Sequence, residues 1–69
     1  MKLYAARDRN TGKLVSNITN PSRKFWQRRR DCVNAISNYN YYNRRHKTYD
    51  LELVVFELVE IEDDENENN

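Results

Sequence analysis

Residues 49–61 read Tyr-Asp-Leu-Glu-Leu-Val-Val-Phe-Glu-Leu-Val-Glu-Ile, a run rich in β-branched, aromatic and leucine side chains, without glycine or proline. That composition predicts a long β-strand. Tyr49, Leu51, Leu53 and Val55 would share one face, and Asp50 and Glu52 the other. Further along, Val54, Phe56 and Leu58 make the second face apolar too. Such a strand needs neighbours for its backbone groups and cover for its apolar faces. The change of apolar phase near Val55 leaves three arrangements open: a central strand covered on both sides at its far end, a bulge that re-aims the side chains, or a second face used as a dimer contact.

The rest of the chain must supply the neighbours. Residues 2–8 and 13–19 flank Asn10-Thr11-Gly12, where Gly12, the single glycine, can take the positive φ that a short hairpin loop with a bulge requires. A β-hairpin is expected, although Leu3 and Ala5 against Tyr4 and Ala6 do not say which face is buried. Asn20-Pro21-Ser22 ends the second strand. From Asp31, a credible N-cap, Cys32, Ala35, Ile36 and Tyr39 follow the i, i+3, i+4, i+7 spacing of one helical face, predicting a helix over about 31–43. Phe25 and Trp26 would lie in an extended segment or irregular turn before it and serve as core anchors. The expected fold is a single α+β domain over residues 1–61, ββαβ, with a three-stranded sheet ordered 2-1-3 and one helix packed on it. Residues 62–69 have no apolar side chain and are expected to form a disordered acidic tail.

With 69 residues, the core stands near the lower limit for independent folding, where a single core supplies roughly 3–5 kcal/mol. A homodimer is therefore one option. No apolar run reaches the ~20 residues of a membrane span, and charge enters too early at the N-terminus for a signal peptide, so the cytoplasm is the expected compartment. One cysteine, Cys32, and one histidine, His46, cannot make a disulfide framework or a Cys/His zinc site. Cys32 reads as a small buried helix residue; the alternative is a thiol activated by Arg28, Arg29 and Arg30. A single glycine rules out glycine-rich phosphate cradles, and no nucleophile–base arrangement is visible. No enzyme activity, cofactor or metal is expected.

Charge points toward partners. The formal net charge is +1, yet residues 1–48 hold all twelve Lys and Arg against two acids, whereas residues 49–69 hold nine acids and no base. Partners respond to local fields rather than to the net charge. Arg23, Lys24, Arg28, Arg29, Arg30, Arg44, Arg45 and Lys47 bracket the helix, with Tyr41 and Tyr42 as candidate stacking groups. Bases that neutralise phosphates beside aromatic faces suit single-stranded nucleic acid. The competing reading is a solvated face paired with the acidic strand. Asn34, Asn38, Asn40 and Asn43, with Ser37, add a polar helix face. A separate protein-interaction surface is expected from Val54, Phe56, Leu58, Glu60, Glu62, Asp63 and Asp64, in which the acids solubilise, cover the basic body or imitate phosphate.

The opening Met-Lys-Leu-Tyr with Thr11-Gly12-Lys13-Leu14, Lys24-Phe25-Trp26 before a basic stretch, the helix start over residues 31–36 and Tyr49-Asp50-Leu51-Glu52-Leu53-Val54 resemble small accessory proteins encoded by phages and prophages, especially of Gram-positive bacteria. The likeness spans most of residues 1–61 and is one of order and style. It implies a non-catalytic ligand of host or phage nucleic-acid machinery, inhibitors of defence nucleases included, in the bacterial cytoplasm. It carries no functional residues over.

Overall fold

The computed structural model describes residues 1–61. Its elements are β1 (Lys2–Asp8), β2 (Leu14–Val15), α1 (Arg29–Tyr42) and β3 (Leu51–Glu57), in the expected α+β order. The sheet runs β2-β1-β3, antiparallel throughout. β3 pairs with β1 over its whole length, from Lys2↔Glu57 to Asp8↔Leu51, in one unbroken register. Among the described residues it is therefore an edge strand without a bulge, which removes two of the three explanations for its change of apolar phase.

Alternation along β1 decides which face α1 covers. Ala6 packs with Val15, Tyr39 and Leu51, and Tyr4 and Leu53 pack against Trp26, Cys32 and Ala35. Leu3, Ala5 and Arg7, with their partners Phe56, Val54 and Glu52, consequently line the face opposite α1, where Ala5 is fully buried, Phe56 is exposed and the others are half-buried. The predicted helical stripe is the one buried: Cys32, Ala35 and Tyr39 are inside, and Ile36 packs against both clusters.

Three boundaries and one burial differ from expectation. β2 is only two residues long because Asn17 and the residues after it turn away. The edge it vacates is filled by Trp26, whose N–H donates to the Tyr4 carbonyl at 2.8 Å while the Tyr4 N–H donates to the Trp26 carbonyl at 2.9 Å. With Trp26 seated, the chain passes through an extended Arg28 (φ −114°, ψ 132°) and α1 begins at Arg29, two residues before the expected start. Asp31 is thus a first-turn residue, not the cap; its carboxylate still faces the positive end of the helix dipole. Third, Trp26 is 5% exposed but its neighbour Phe25 is 40% exposed, so only Trp26 is a core anchor. Phe25 projects to the face opposite α1 and meets Phe56 edge-on, ring centroids 6.0 Å apart. Last, β3 occupies 51–57 rather than 49–61. The expected tail lies outside the described residues.

Two polar side chains hold the connections. The Tyr39 hydroxyl accepts the Thr48 and Tyr49 N–H groups, each at 3.0 Å, and so guides the chain from α1 into β3. Asp8, buried at the end of β1, accepts the Asn10 and Asp50 N–H groups at 3.1 and 3.3 Å through Oδ1 and the Thr11 hydroxyl at 3.4 Å through Oδ2. Gly12 takes φ +75° and donates its N–H to the Asp8 carbonyl at 2.7 Å, closing the hairpin loop in the expected place.

Candidate nucleic-acid interface

α1 divides the basic residues into two poles. Arg23 and Lys24 lie on the segment that leads to Trp26, and Arg28, Arg29 and Arg30 form the helix start. Arg44, Arg45 and Lys47 lie in the turn after its end, next to Tyr41 and Tyr42. Fourteen helical residues at 1.5 Å each separate the poles by ~21 Å. The structure therefore brings the candidates together as two groups, not one patch.

All eight basic side chains are exposed, and none forms an ion pair with another described residue. The two acids that β3 offers are used elsewhere: Glu52 pairs with Arg7 at 2.9 Å and with Arg9 at 3.6 Å, and Glu57 with the N-terminal ammonium of Met1 at 3.8 Å. The reading in which the helix-flanking arginines pair with the acidic strand is thus corrected for the described residues. Both sequence neighbours and geometry concentrate positive charge at the first pole. Arg28 is the N-cap and makes no side-chain capping bond, while Arg29 and Arg30 occupy the first turn. Cations there oppose the dipole, each at a cost of roughly 0.3–1 kcal/mol.

At the second pole the aromatics are open to solvent. Tyr42 is 78% exposed and meets Tyr41 edge-on, with centroids 5.2 Å apart. Arg44 lies over the Tyr41 ring, 4.7 Å from its centroid, and donates to the Tyr41 carbonyl at 2.8 Å. This contact leaves Tyr42 as the freer stacking face. Between the poles the exposed face of α1 carries Asn34, Ser37 and Asn38, a neutral amide and hydroxyl strip. Asn38, Tyr42 and Asn43 also line a surface groove shared with Asn17, Thr19 and Asn20. Sequence reasoning marked the helix asparagines but missed Asn17 and Asn20, since only the fold brings the β2–α1 connection against α1.

The expected protein-interaction residues fall on and after β3. Val54 is half-buried, Phe56 and Leu58 are 41% and 46% exposed, and Glu60 is exposed. Glu62, Asp63 and Asp64 lie outside the described residues. No group of residues with metal-ligand character occurs among the described residues, and no helix there is long and apolar enough to cross a membrane.

Cys32 is fully buried in α1. Burial pushes its thiol up from 9.0 to about 11, outweighing the nearby Arg29 charge, which acts in the opposite direction. The activated-thiol reading is therefore corrected: the arginines do not overcome desolvation. Because the folded value lies above the unfolded one, the contribution of the neutral thiol to stability is full below pH 9 and is lost as pH rises through about 11. Thiol labelling at pH 8 is expected to be slow in buffer and fast in denaturing urea. Rapid labelling of the folded protein would show Cys32 to be accessible.

Comparisons with protein-family models, curated proteins and solved structures find no match.

Proposed function

We propose that this protein is a small non-enzymatic binding module that contacts nucleic acid through the two basic poles of α1. The carrying observation is the set of eight exposed Lys and Arg without an acidic partner among the described residues. Bases used for stability would be expected to find carboxylates; bases left free are available to phosphates. Single strands fit best. Tyr42 offers an exposed stacking face that an unpaired base can use; the ~21 Å between the poles equals about six stacked steps at the ~3.4 Å rise of a duplex strand and does not itself distinguish single strands from duplex. The asparagines between the poles can hydrogen-bond to bases or sugars. Resemblance to phage accessory proteins gives a setting, the cytoplasm of an infected or lysogenic bacterium.

The alternative is a protein-binding regulator of a nucleic-acid enzyme, supported by the exposed apolar side chains of Phe56 and Leu58 after the midpoint of β3. Amide NMR titration with short single-stranded and duplex oligonucleotides separates the readings. The nucleic-acid reading predicts shifts at residues 23–30 and 41–47 that fade with salt. Replacing Arg28, Arg29 and Arg30 by Ala should reduce the slope of log affinity against log salt by roughly 0.7 per lost contact to a single strand. An unchanged slope, or no shifts at low salt, would reject it and favour the protein partner.

A further inference from the structure

We propose that the free edge of β3 pairs with the same edge of a second copy of this chain, antiparallel and centred on Val54, giving a six-stranded sheet with both helices on one face. This goes beyond the nucleic-acid reading and does not depend on it. Among the described residues, β1 covers one side of β3 and no strand covers the other. The paired register and the bond from the Leu58 N–H to the Met1 carbonyl at 2.7 Å put the backbone groups of Glu52, Val54 and Phe56 toward β1. By alternation those of Leu51, Leu53, Val55 and Glu57 point outward, and they have no backbone partner among the described residues.

That edge has few of the devices that usually blunt one, its charges being Glu52, which pairs with Arg7 and Arg9, and the terminal Glu57, which pairs with the Met1 ammonium. β3 contains no lysine, proline or bulge, and Val55, Phe56, Leu58 and Val59 are exposed around it. Residues 62–69 contain no apolar side chain with which to cover it. The core, built largely of two small clusters, would gain from shared burial.

Charge selects a second copy as the occupant and also selects the register. Centring on Val54 overlaps all of Leu51–Glu57 with itself. Glu57 then faces Leu51 of the second copy, Glu52 faces Phe56, Asp50 faces Leu58, and no carboxylate opposes another. Moving the centre to Val55 would oppose Asp50 with Glu60, and moving it to Leu53 would shorten the overlap. Within one copy, the basic turn carrying Arg44, Arg45 and Lys47 precedes β3, and Glu57 and Glu60 lie at and after its end, so the two charges stand at opposite ends of a strand ~20 Å long. Antiparallel pairing sets Glu57 and Glu60 of each copy toward the basic turn of the other, twice per dimer. A foreign apolar strand would offer no such match unless it were itself basic.

The test measures the mass of the full chain by light scattering at low and high concentration without nucleic acid, alongside two variants. The wild type should approach twice its 8.4 kDa at high concentration. Val55→Pro removes an outward N–H that the β1 ladder does not use, and should stay monomeric with an unchanged circular dichroism spectrum. Val54→Cys should cross-link on oxidation, because non-hydrogen-bonded antiparallel partners bring Cα atoms to ~4.5 Å, within disulfide range. The buried Cys32 gives a silent background. A wild type monomeric at both concentrations would overturn the proposal, even if a basic apolar peptide bound the edge. So would a folded Val55→Pro dimer, or a failure of Val54→Cys to cross-link.

Discussion

Replacing Trp26 by alanine is expected to leave little folded protein at 25 °C. Its indole is the largest buried side chain and packs with Cys32 and Ala35, with Tyr4, Ile18, Ile36 and Leu53 around the same cluster. Truncating a buried Trp costs ~3–5 kcal/mol, comparable with the ~3–5 kcal/mol that the core of so small a domain supplies. The backbone has a separate role, since the two bonds to Tyr4 remain available to any residue at this position. Trp26→Phe should therefore keep the fold with reduced stability. Far-UV circular dichroism during urea titration distinguishes the variants: a missing folded baseline is expected for alanine, and a lowered midpoint for phenylalanine. A midpoint for Trp26→Ala within a few tenths molar of wild type would show that Trp26 does not anchor the core in solution.

The contrast between Trp26 and Phe25 also shows how far the sequence could be read. Both are aromatic and adjacent, so both suggested core, but in an extended segment neighbours point to opposite sides. Only one can lie under α1, and which one depends on the pairing with Tyr4, a contact between residues 22 positions apart. The same distant contact governs the early helix start, overriding the preference for Asp31 as cap. By contrast, the helical stripe of Cys32, Ala35, Ile36 and Tyr39 was legible because its period is local. The 2-1-3 strand order was legible because a hairpin, one helix and one strand leave few ways to bury both apolar surfaces. For the candidate site, the basic residues and Tyr42 were visible as residue types and are indeed exposed, but their division into two poles depends on where α1 begins and ends. The fate of Glu52 was hidden as well: its salt bridges to Arg7 and Arg9 cross from β3 to β1 and its end, and so depend on register.

Asp8 shows most directly what only register can reveal, and it carries the second large prediction. In the sequence it is one of two acids in a basic region; in the fold it is buried and accepts three donors from two segments that meet at the end of β1. Asp8→Ala would leave the Asn10 and Asp50 amides without that acceptor, loosening the hairpin loop and the entry to β3 together. Uncompensated donors cost ~1–3 kcal/mol each when buried; because these bonds are long and the site is partly wet, a loss of about 2–4 kcal/mol is expected. At ~1 kcal/mol per molar in urea for a small domain, this lowers the midpoint by ~2–4 M or removes the folded baseline. Asp8→Asn retains a carbonyl oxygen for the two amides at nearly the same size and should recover much of the loss. If Asp8→Asn proved as damaging as Asp8→Ala, the negative charge rather than the acceptor geometry would be the stabilising element, acting on the surrounding Arg7, Arg9 and Lys13. If Asp8→Ala were neutral, water would have to replace the carboxylate, and the end of β1 would be a solvated turn rather than the junction that ties the hairpin to β3.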